Sequence, residues 1–387
     1  MESTKKEMDN LLKLKLENLS TSTNHNPLHY QINRVYDINN VPYPISDALI
    51  ILVIGNSGVW FDTINAAMSI LKQKNLIPRK IILTPHGECP DHYFWYTAIQ
   101  QLSTAYGLPI DNFLVRDAGC DDTTLYNWCY DPMFFSPDAR KVEIDKANET
   151  NNNLLDKTKL YSSFARNPRI YRSLFTQELL KRNLEEYGLI SCGSATEFAE
   201  QNYNDTIYCI IEEKYKHKFP LFLDSYCAQA AGSNLNGEMA KCLINIVLES
   251  SYDSKTVQLT TAGKRVSLNS NVWQRIFFTE KTTKYIVLRQ LPLFLAPFGY
   301  VNYLRTLGLD VFDDVINHSY DTEPDGLIRI YKVADEIERL ANIGLESLKA
   351  NVLDFDKRTQ YNIDRMGVIY DEKTEELESK IKDFINK

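Results

Sequence analysis

The sequence predicts an α/β protein built on parallel sheets, and three features of the chain indicate this class. Residues 48–54 form an unbroken apolar run that ends at Gly55, which is typical of a strand buried on both faces. Residues 61–75 carry apolar side chains at helical spacing, and a second apolar run lies at 80–84. A strand, a helix and a strand in this order predict parallel strands with helices on the faces of the sheet.

The next elements continue the same alternation. We predict a helix over 93–106 and a short strand over 112–115. The turn at 55–58 lacks the G-x-G-x-x-G spacing of a dinucleotide site, so we interpret it as a tight connection between strand and helix. Residues 118–153 are rich in Asp, Asn, Tyr and Pro and predict irregular structure, with 148–153 as the boundary between two domains.

The C-terminal half begins again with a strand and a helix. We predict a strand over 159–165, a helix over 170–187 that stops at Gly188, and strands over 189–192 and 242–248. The later predicted elements are a helix over 283–289, a strand over 291–296, and helices over 300–307, 329–341 and 351–387.

Length and composition predict more than one domain. A chain of 387 residues exceeds one ordinary hydrophobic core, and 44% hydrophobic with 24% charged residues is typical of a soluble globular protein. We predict an N-terminal extension at 1–40, a first domain at 41–150, a second domain at 155–345 and a helical tail at 346–387.

Charge, cysteine usage and hydropathy indicate the class of the protein and the compartment in which it is expected. The net charge of −8 disfavours a nucleic-acid coat or a protein that binds anionic membranes. The seven cysteines include no C-x-x-C pair, which indicates reduced thiols and disfavours both a disulfide framework and a structural zinc site. No signal peptide and no apolar run of about 18 residues is visible, so we expect a cytoplasmic protein without a membrane span.

The main candidate site is the stretch 277–284, where an aromatic-rich strand prediction leads into a helix. Thr279, Glu280, Lys281 and Lys284 lie at this junction. A carboxylate there can accept hydrogen bonds from sugar hydroxyls, an ammonium group can pair with phosphate, and the first amides of a helix favour an anion. The alternative is that Glu280 and Lys281 merely open a surface helix, and the spacing alone leaves both interpretations open.

Arginines mark a second candidate position, at the end of the first strand of the C-terminal half. Arg166, Arg169 and Arg172 lie there, although positive charge is unfavourable at a helix N-terminus unless an anion is close. A bound diphosphate would account for them, because guanidinium groups match phosphate oxygens; ordinary surface arginines are the alternative. Glu249 ends a later apolar strand and is either a helix cap or a ligand contact.

One loop of the N-terminal half concentrates groups that exchange protons. His86, Glu88, Asp91 and His92 follow the strand predicted at 80–84. Four such residues in one loop are usually just solvated, and we predict no metal site here. His86, Glu88 and Asp91 are candidates for a catalytic base.

Several of these residues together are similar to the pattern of a known family. The residues are Asn167-Pro168 with Arg172 and Phe175, Val247-Leu248-Glu249, Phe278-Thr279-Glu280-Lys281, and a tail of Gly308, Phe312-Asp313 and Ser319-Tyr320-Asp321. Their order resembles the C-terminal domain of α1,3-fucosyltransferase-type enzymes, and more closely the fucosyltransferase-like proteins of phages and large viruses. The resemblance covers Leu160 to Leu340.

The resemblance implies a GT-B architecture, in which two Rossmann-like domains face a cleft. Residues 41–150 would then be the acceptor side, and residues 155–345 would bind the nucleotide-sugar. In the roles that the resemblance implies, Arg172 contacts the diphosphate, Glu280 the ribose hydroxyls and Lys281 the phosphates.

The resemblance also implies supporting positions. Glu249 matches the acid that precedes the Thr-Glu-Lys motif, and Arg166 and Lys284 are expected to assist. The sequence departs from the family pattern at 285–289 and 291–293, which leaves the donor specificity and the activity of this copy open.

The implied activity is an inverting, metal-independent transfer of a sugar from a nucleoside-diphosphate donor to a glycan or another hydroxyl acceptor, without a cofactor. A GDP-linked sugar is one candidate donor, and the host cytoplasm is the expected location for a viral protein. Two alternatives stay open: a glycosyltransferase that acts on modified bases in viral DNA, with nucleic acid as its partner, and a non-catalytic homologue that binds a nucleotide-sugar.

Overall fold

In the computed structural model of this protein the chain divides into two compact units. The first unit comprises Met1–Met133 together with Tyr370–Lys387, and the second comprises Phe134–Ile369. The structure describes residues 31–32, 49–54, 65, 68–69, 72–73, 80–85, 92–117, 125–127, 137–150, 152–165, 170–192, 213–216, 236–249, 252, 258–261, 264–267 and 280–386.

The first unit contains a five-stranded parallel sheet in the order β1-β2-β3-β4-β5. Its strands are β1 (Gln31–Ile32), β2 (Leu49–Ile54), β3 (Lys80–Pro85), β4 (Phe113–Asp117) and β5 (Leu125–Asn127). Helix α1 (His92–Tyr106) lies between β3 and β4 in the chain and buries Ile99 and Leu102. Ile81 of β3 and Phe113 of β4 are register partners and are also buried. The parallel pairing of the strands predicted at 48–54 and 80–84 is confirmed, and so are the helix and the strand predicted after them. Most of the helix predicted at 61–75 lies outside the described residues.

The second unit alternates helices with the strands of another sheet. In chain order its first elements are α2 (Pro137–Asn148), β6 (Lys159–Ala165), α3 (Ile170–Lys181), β7 (Gly188–Cys192), α4 (Glu213–Lys216), α5 (Asn236–Ala240), β8 (Cys242–Leu248) and the antiparallel pair β9 (Gln258–Thr261) and β10 (Lys264–Ser267). They are followed by α6 (Glu280–Val287), β11 (Leu291–Leu295), α7 (Tyr300–Thr306), α8 (Gly326–Ile343), α9 (Leu345–Asn351) and the long α10 (Phe355–Asn386), which continues into the first unit.

The sheet of the second unit is four-stranded and parallel, in the order β11-β8-β6-β7. Strands β8 and β11 are buried along their whole length. This is the burial that an unbroken apolar run predicts for a strand covered on both faces. The α/β class predicted from the sequence is therefore confirmed.

The helix after β6 is shorter than predicted. It ends at Lys181, and Asn183 then takes a left-handed conformation with φ 56°. A short 3-10 turn at Leu184–Glu186 follows, so Gly188 begins β7 and does not stop the helix. Asparagine tolerates the left-handed region better than most residues, and it interrupts the helix although the apolar spacing continues beyond it.

The predicted irregular structure at 118–153 is wrong for residues 137–148, because α2 occupies them. Pro137 is at the first helical position, where a missing N–H is tolerated, and the charged residues and alanines after it favour a helix. Among the side chains of α2 that the structure describes, Ala147 is buried and the others are exposed or half-buried. A solvated helix of this kind has a weak apolar period, which made it resemble a loop.

None of the helices in the described part of the chain is both long enough and apolar enough to cross a bilayer.

Candidate functional site

The strand order places a topological switch point at β6 and β8. From β6 the chain passes through α3 to β7 on one side, and from β8 it passes through α6 to β11 on the other side. Strands β6 and β8 are neighbours and parallel, so their carboxyl ends meet at the same edge. In open α/β sheets, ligands bind in the crevice at the carboxyl ends of such strands.

Glu249 follows β8 directly and is fully buried. Its Oε1 accepts a hydrogen bond from the Thr282 hydroxyl at 2.7 Å and from the Tyr300 hydroxyl at 2.8 Å. The two hydroxyls are themselves 2.6 Å apart, so their two hydrogens can satisfy two of the three contacts at one time. The result is a closed polar cluster of Glu249, Thr282 and Tyr300, which we call the Glu249 cluster.

The Glu249 cluster keeps Tyr300 protonated. Burial, and then the charge of Glu249, raise the pKa of Tyr300 well above its ordinary value. A protonated phenol is a hydrogen-bond donor to the carboxylate, and this arrangement satisfies a buried carboxylate that would otherwise be costly. The cluster therefore connects β8, α6 and the first residue of α7.

Arg172 lies in the first turn of α3 and is 4% exposed. Its Nη2 donates to the carbonyl oxygen of Leu248 at 3.0 Å and to that of Glu249 at 2.7 Å. The hydroxyl of the preceding Tyr171 also donates to the Glu249 carbonyl. The first turn of α3 is thus bonded to the carboxyl end of β8.

Glu249 consequently connects two of the stretches that the sequence singled out. Its carbonyl accepts from Arg172, and its carboxylate accepts from Thr282, the residue that follows Lys281 in α6. Lys281 and Lys284 are both half-buried on this helix. Glu280 is the first residue of α6.

Several predicted site residues lie outside the part of the chain that the structure describes. They are the base candidates His86, Glu88 and Asp91, together with Arg166, Thr279 and the side chain of Glu280. Their predicted roles stay predictions.

Aromatic residues that the sequence analysis did not select complete this region. The rings of Tyr171 and Tyr252 are stacked with centroids 4.6 Å apart, and the Arg329 guanidinium lies 4.6 Å from the centroid of the Tyr252 ring. The Tyr252 hydroxyl donates to the carbonyl of Gly326, the first residue of α8. Position in the sequence provides one weak signal for them, since Tyr171 and Tyr252 lie close to the ends of β6 and β8.

The tail motif at 319–321 forms a helix cap. The two carboxylate oxygens of Asp321 accept from the backbone N–H groups of Val301 and Asn302, each at 2.9 Å, at the start of α7. The Gly299 N–H donates to the Asp321 carbonyl at 3.0 Å. Burial raises the pKa of Asp321, although these N–H groups favour its charged form. This motif therefore positions the helix that begins with Tyr300.

Other ionisable groups of the second unit are held in the core. The buried Lys157 ammonium donates to the carbonyls of Ala240 and Leu288, and burial lowers its pKa to about 8. Burial raises the pKa of the Cys192 thiol to about 11 and that of Cys242 to about 12. Both thiols stay protonated at neutral pH. In the described residues, no group of His, Cys, Asp and Glu side chains has the arrangement of a metal site.

No family model matches the chain, and no curated protein or solved structure is significantly similar to it.

Proposed function

We propose that the protein is a nucleotide-sugar-dependent glycosyltransferase of GT-B architecture, which transfers the sugar with inversion of configuration at its anomeric carbon. The supporting observation is the connection through Glu249, which joins the arginine-bearing turn of α3 to the lysine-bearing turn of α6 at a switch point of a parallel sheet. Two cationic helix starts at such an edge suit the pyrophosphate of a nucleoside-diphosphate sugar. The sequence motifs at the same positions favour the same ligand.

In the proposed complex the cations of the site contact the diphosphate. Lys281 is in the first turn of α6, where an ammonium group and helical amides act on the same anion. Arg172 stabilises the end of β8 beside it through two carbonyls. Glu280 accepts from the ribose hydroxyls, and Thr279 and Lys284 support these contacts.

The proposed reaction is a direct displacement at the anomeric carbon. A base removes the proton of the acceptor hydroxyl, whose oxygen forms a bond to that carbon while the bond to the diphosphate oxygen breaks. The electron pair of the broken bond stays on the diphosphate, and the nearby cations offset the charge that develops there. The candidates for the base are His86, Glu88 and Asp91.

The test is the substitution Lys281→Ala, with Lys241→Ala as the control. Lys241 is exposed and pairs with Glu238 on the surface, so its loss changes charge without touching the site. We expect Lys281→Ala to lower turnover of the nucleotide-sugar by about tenfold or more while both variants keep the wild-type melting temperature, because a positioned charge stabilises the leaving group. An unchanged rate in Lys281→Ala would contradict the proposal.

The donor for this assay is chosen by thermal shift with GDP-, UDP- and dTDP-linked sugars, since a ligand that binds the folded state raises the melting temperature. A nucleotide-sugar that stabilises the protein but is never hydrolysed or transferred would identify a non-catalytic binding protein. Transfer to hydroxymethylated DNA, with binding that weakens as salt rises, would identify the DNA-modifying alternative.

A further inference from the structure

We propose that Tyr300 is a positioning residue, which holds the first turn of α6 and thereby the Lys281 ammonium in place through Glu249. The inference rests on the proposed function, because it assigns Lys281 to the diphosphate. It adds a fully buried residue that the sequence motifs did not select.

The first observation is the geometry of the Glu249 cluster. Glu249, Thr282 and Tyr300 are each fully buried, so the carboxylate has no water to replace a lost donor. The Tyr300 hydroxyl is 2.8 Å from Glu249 Oε1 and 2.6 Å from the Thr282 hydroxyl. Because Thr282 follows Lys281 directly, the position of the Thr282 hydroxyl and the direction of the Lys281 side chain depend on the same helical turn.

The second observation is that Tyr300 is itself held from two sides. Its ring lies 5.3 Å from the ring of Phe294 in β11, measured between centroids. The helix that it begins is capped by Asp321 through the N–H groups of Val301 and Asn302. Because the strand and the cap determine the position of Tyr300, its hydroxyl can orient the carboxylate of Glu249.

The third observation is a second tyrosine that differs from Tyr300 mainly in its hydrogen bonds. Tyr285 lies in α6 itself, is fully buried, and also packs against Phe294, with ring centroids 5.6 Å apart. Its hydroxyl makes no hydrogen bond to any residue that the structure describes. Of the buried hydroxyls of Tyr285 and Tyr300, the Tyr300 hydroxyl is the one that donates to the carboxylate of Glu249.

The experiment compares Tyr300→Phe with Tyr285→Phe, two changes that each remove one buried oxygen. Binding of GDP, UDP and dTDP is measured by calorimetry, and the tightest binder of the wild type serves as the probe. We expect Tyr300→Phe to weaken the binding of this probe about tenfold and Tyr285→Phe to change it by less than about twofold. Equal effects of the two substitutions would overturn the proposal.

A double-mutant cycle separates positioning from a general structural effect. If Tyr300 acts through Lys281, Tyr300→Phe in the Lys281→Ala background changes the affinity for the probe by less than about twofold, since the group that it positions is gone. A further tenfold loss in that background would mean that Tyr300 acts on the site independently of Lys281, and the proposal would be wrong.

Hydrogen exchange of the peptide 280–287 tests the same idea without any ligand. We expect faster exchange in Tyr300→Phe and unchanged exchange in Tyr285→Phe, because the first substitution alone loosens the turn. If no nucleoside diphosphate binds the wild type, the proposed function fails, and this exchange then decides the structural part by itself. Unchanged exchange in Tyr300→Phe would refute the positioning role.

If the Tyr300→Phe protein does not fold, a second pair of variants tests the proposal. Thr282→Val removes the other hydroxyl bonded to Glu249, and Thr283→Val removes a neighbouring buried hydroxyl that has no partner among the described residues. The affinity for the probe is expected to fall about tenfold in Thr282→Val and to change by less than about twofold in Thr283→Val. Similar affinities in both variants would again overturn the proposal.

Discussion

Single side chains at the carboxyl end of β8 show how a buried charge is accommodated. The Arg172 guanidinium is almost fully buried, and it donates to the carbonyls of Leu248 and Glu249 at the strand end. Burying a charge is costly unless hydrogen bonds replace those to water, and these carbonyls are acceptors that the end of a strand leaves available. A positive charge at a helix start is unfavourable in isolation. These carbonyls therefore explain the position of Arg172 in addition to the proposed diphosphate ligand.

We expect Arg172→Met to lower the free energy of unfolding by roughly 2–3 kcal/mol, since charged donors are withdrawn from two buried carbonyls. Arg305→Met is the control, because Arg305 pairs with the exposed carboxylate of Asp313, and such pairs contribute about 0–1 kcal/mol. Urea unfolding of both variants measures the difference. Equal losses would show that the contacts at the end of β8 contribute no more than a surface ion pair.

Among the secondary-structure elements, the edge pair β6–β7 depends on a glycine. Gly188 begins β7 opposite Tyr161 of β6, and the tyrosine ring lies across it. The Tyr161 hydroxyl donates to the Leu184 carbonyl at 2.9 Å, and the ring is fully buried, so it has little room to move. An aromatic ring that covers a cross-strand glycine is a known way to protect a sheet position without a side chain.

Gly188→Ala is expected to destabilise the protein by about 1–3 kcal/mol, the usual effect of overpacking. A Cβ at this position would lie 2.5 Å from Tyr161 Cζ. Gly237→Ala is the matched control, because a Cβ there meets nothing within 4 Å and an alanine in α5 favours the helix by about 0.5–1 kcal/mol. Thermal unfolding should move in opposite directions for the two variants, and a harmless Gly188→Ala would refute the packing argument.

For the protein as a whole, a buried histidine links folding of the second unit to pH. His318 Nε2 lies 2.8 Å from the Val311 carbonyl, which can only accept, so this nitrogen carries the hydrogen of the neutral ring. Its Nδ1 lies 2.7 Å from the Tyr320 hydroxyl, which also accepts from the Phe294 N–H at 3.0 Å. A second proton on the ring would leave the hydroxyl hydrogen of Tyr320 without this acceptor.

Burial lowers the pKa of His318 to about 4 from its ordinary value of 6.5. Between these values the unfolded chain binds more protons than the folded one, so the contribution of His318 to stability is complete above pH 6.5 and is lost as the pH falls to about 4. The expected loss is roughly 3 kcal/mol. Burial raises the pKa of Asp321, which acts in the opposite direction over acid pH.

The contribution of His318 is isolated by comparing urea unfolding of wild type and His318→Gln from pH 7 to pH 4. The variant should be less stable at pH 7, because it loses the paired ring, and its stability should fall less steeply toward pH 4. Parallel curves for the two proteins would show that His318 does not titrate between folded and unfolded states.

Particular residues show which features of the structure can be predicted from the sequence and which cannot. Strand β8 was predicted with its observed bounds, because a strand buried on both faces needs an unbroken apolar run. Glu249 was correctly placed at its end. The partners of that carboxylate were missed, since Tyr300 lies 51 residues away and nothing in local periodicity connects the two positions. Helix α2 was missed because a solvated helix carries little apolar signal.

The amino-acid sequence was sufficient for the class of fold and for the approximate position of most of the described strands and helices, because burial imposes a period of 3.6 on helices and continuous apolar runs on covered strands. The meeting of Arg172, Glu249, Thr282 and Tyr300 required the three-dimensional arrangement. Strand order, which places β11 beside β8 and β8 beside β6, brings these side chains together, and it follows from the packing of elements that are distant in the chain.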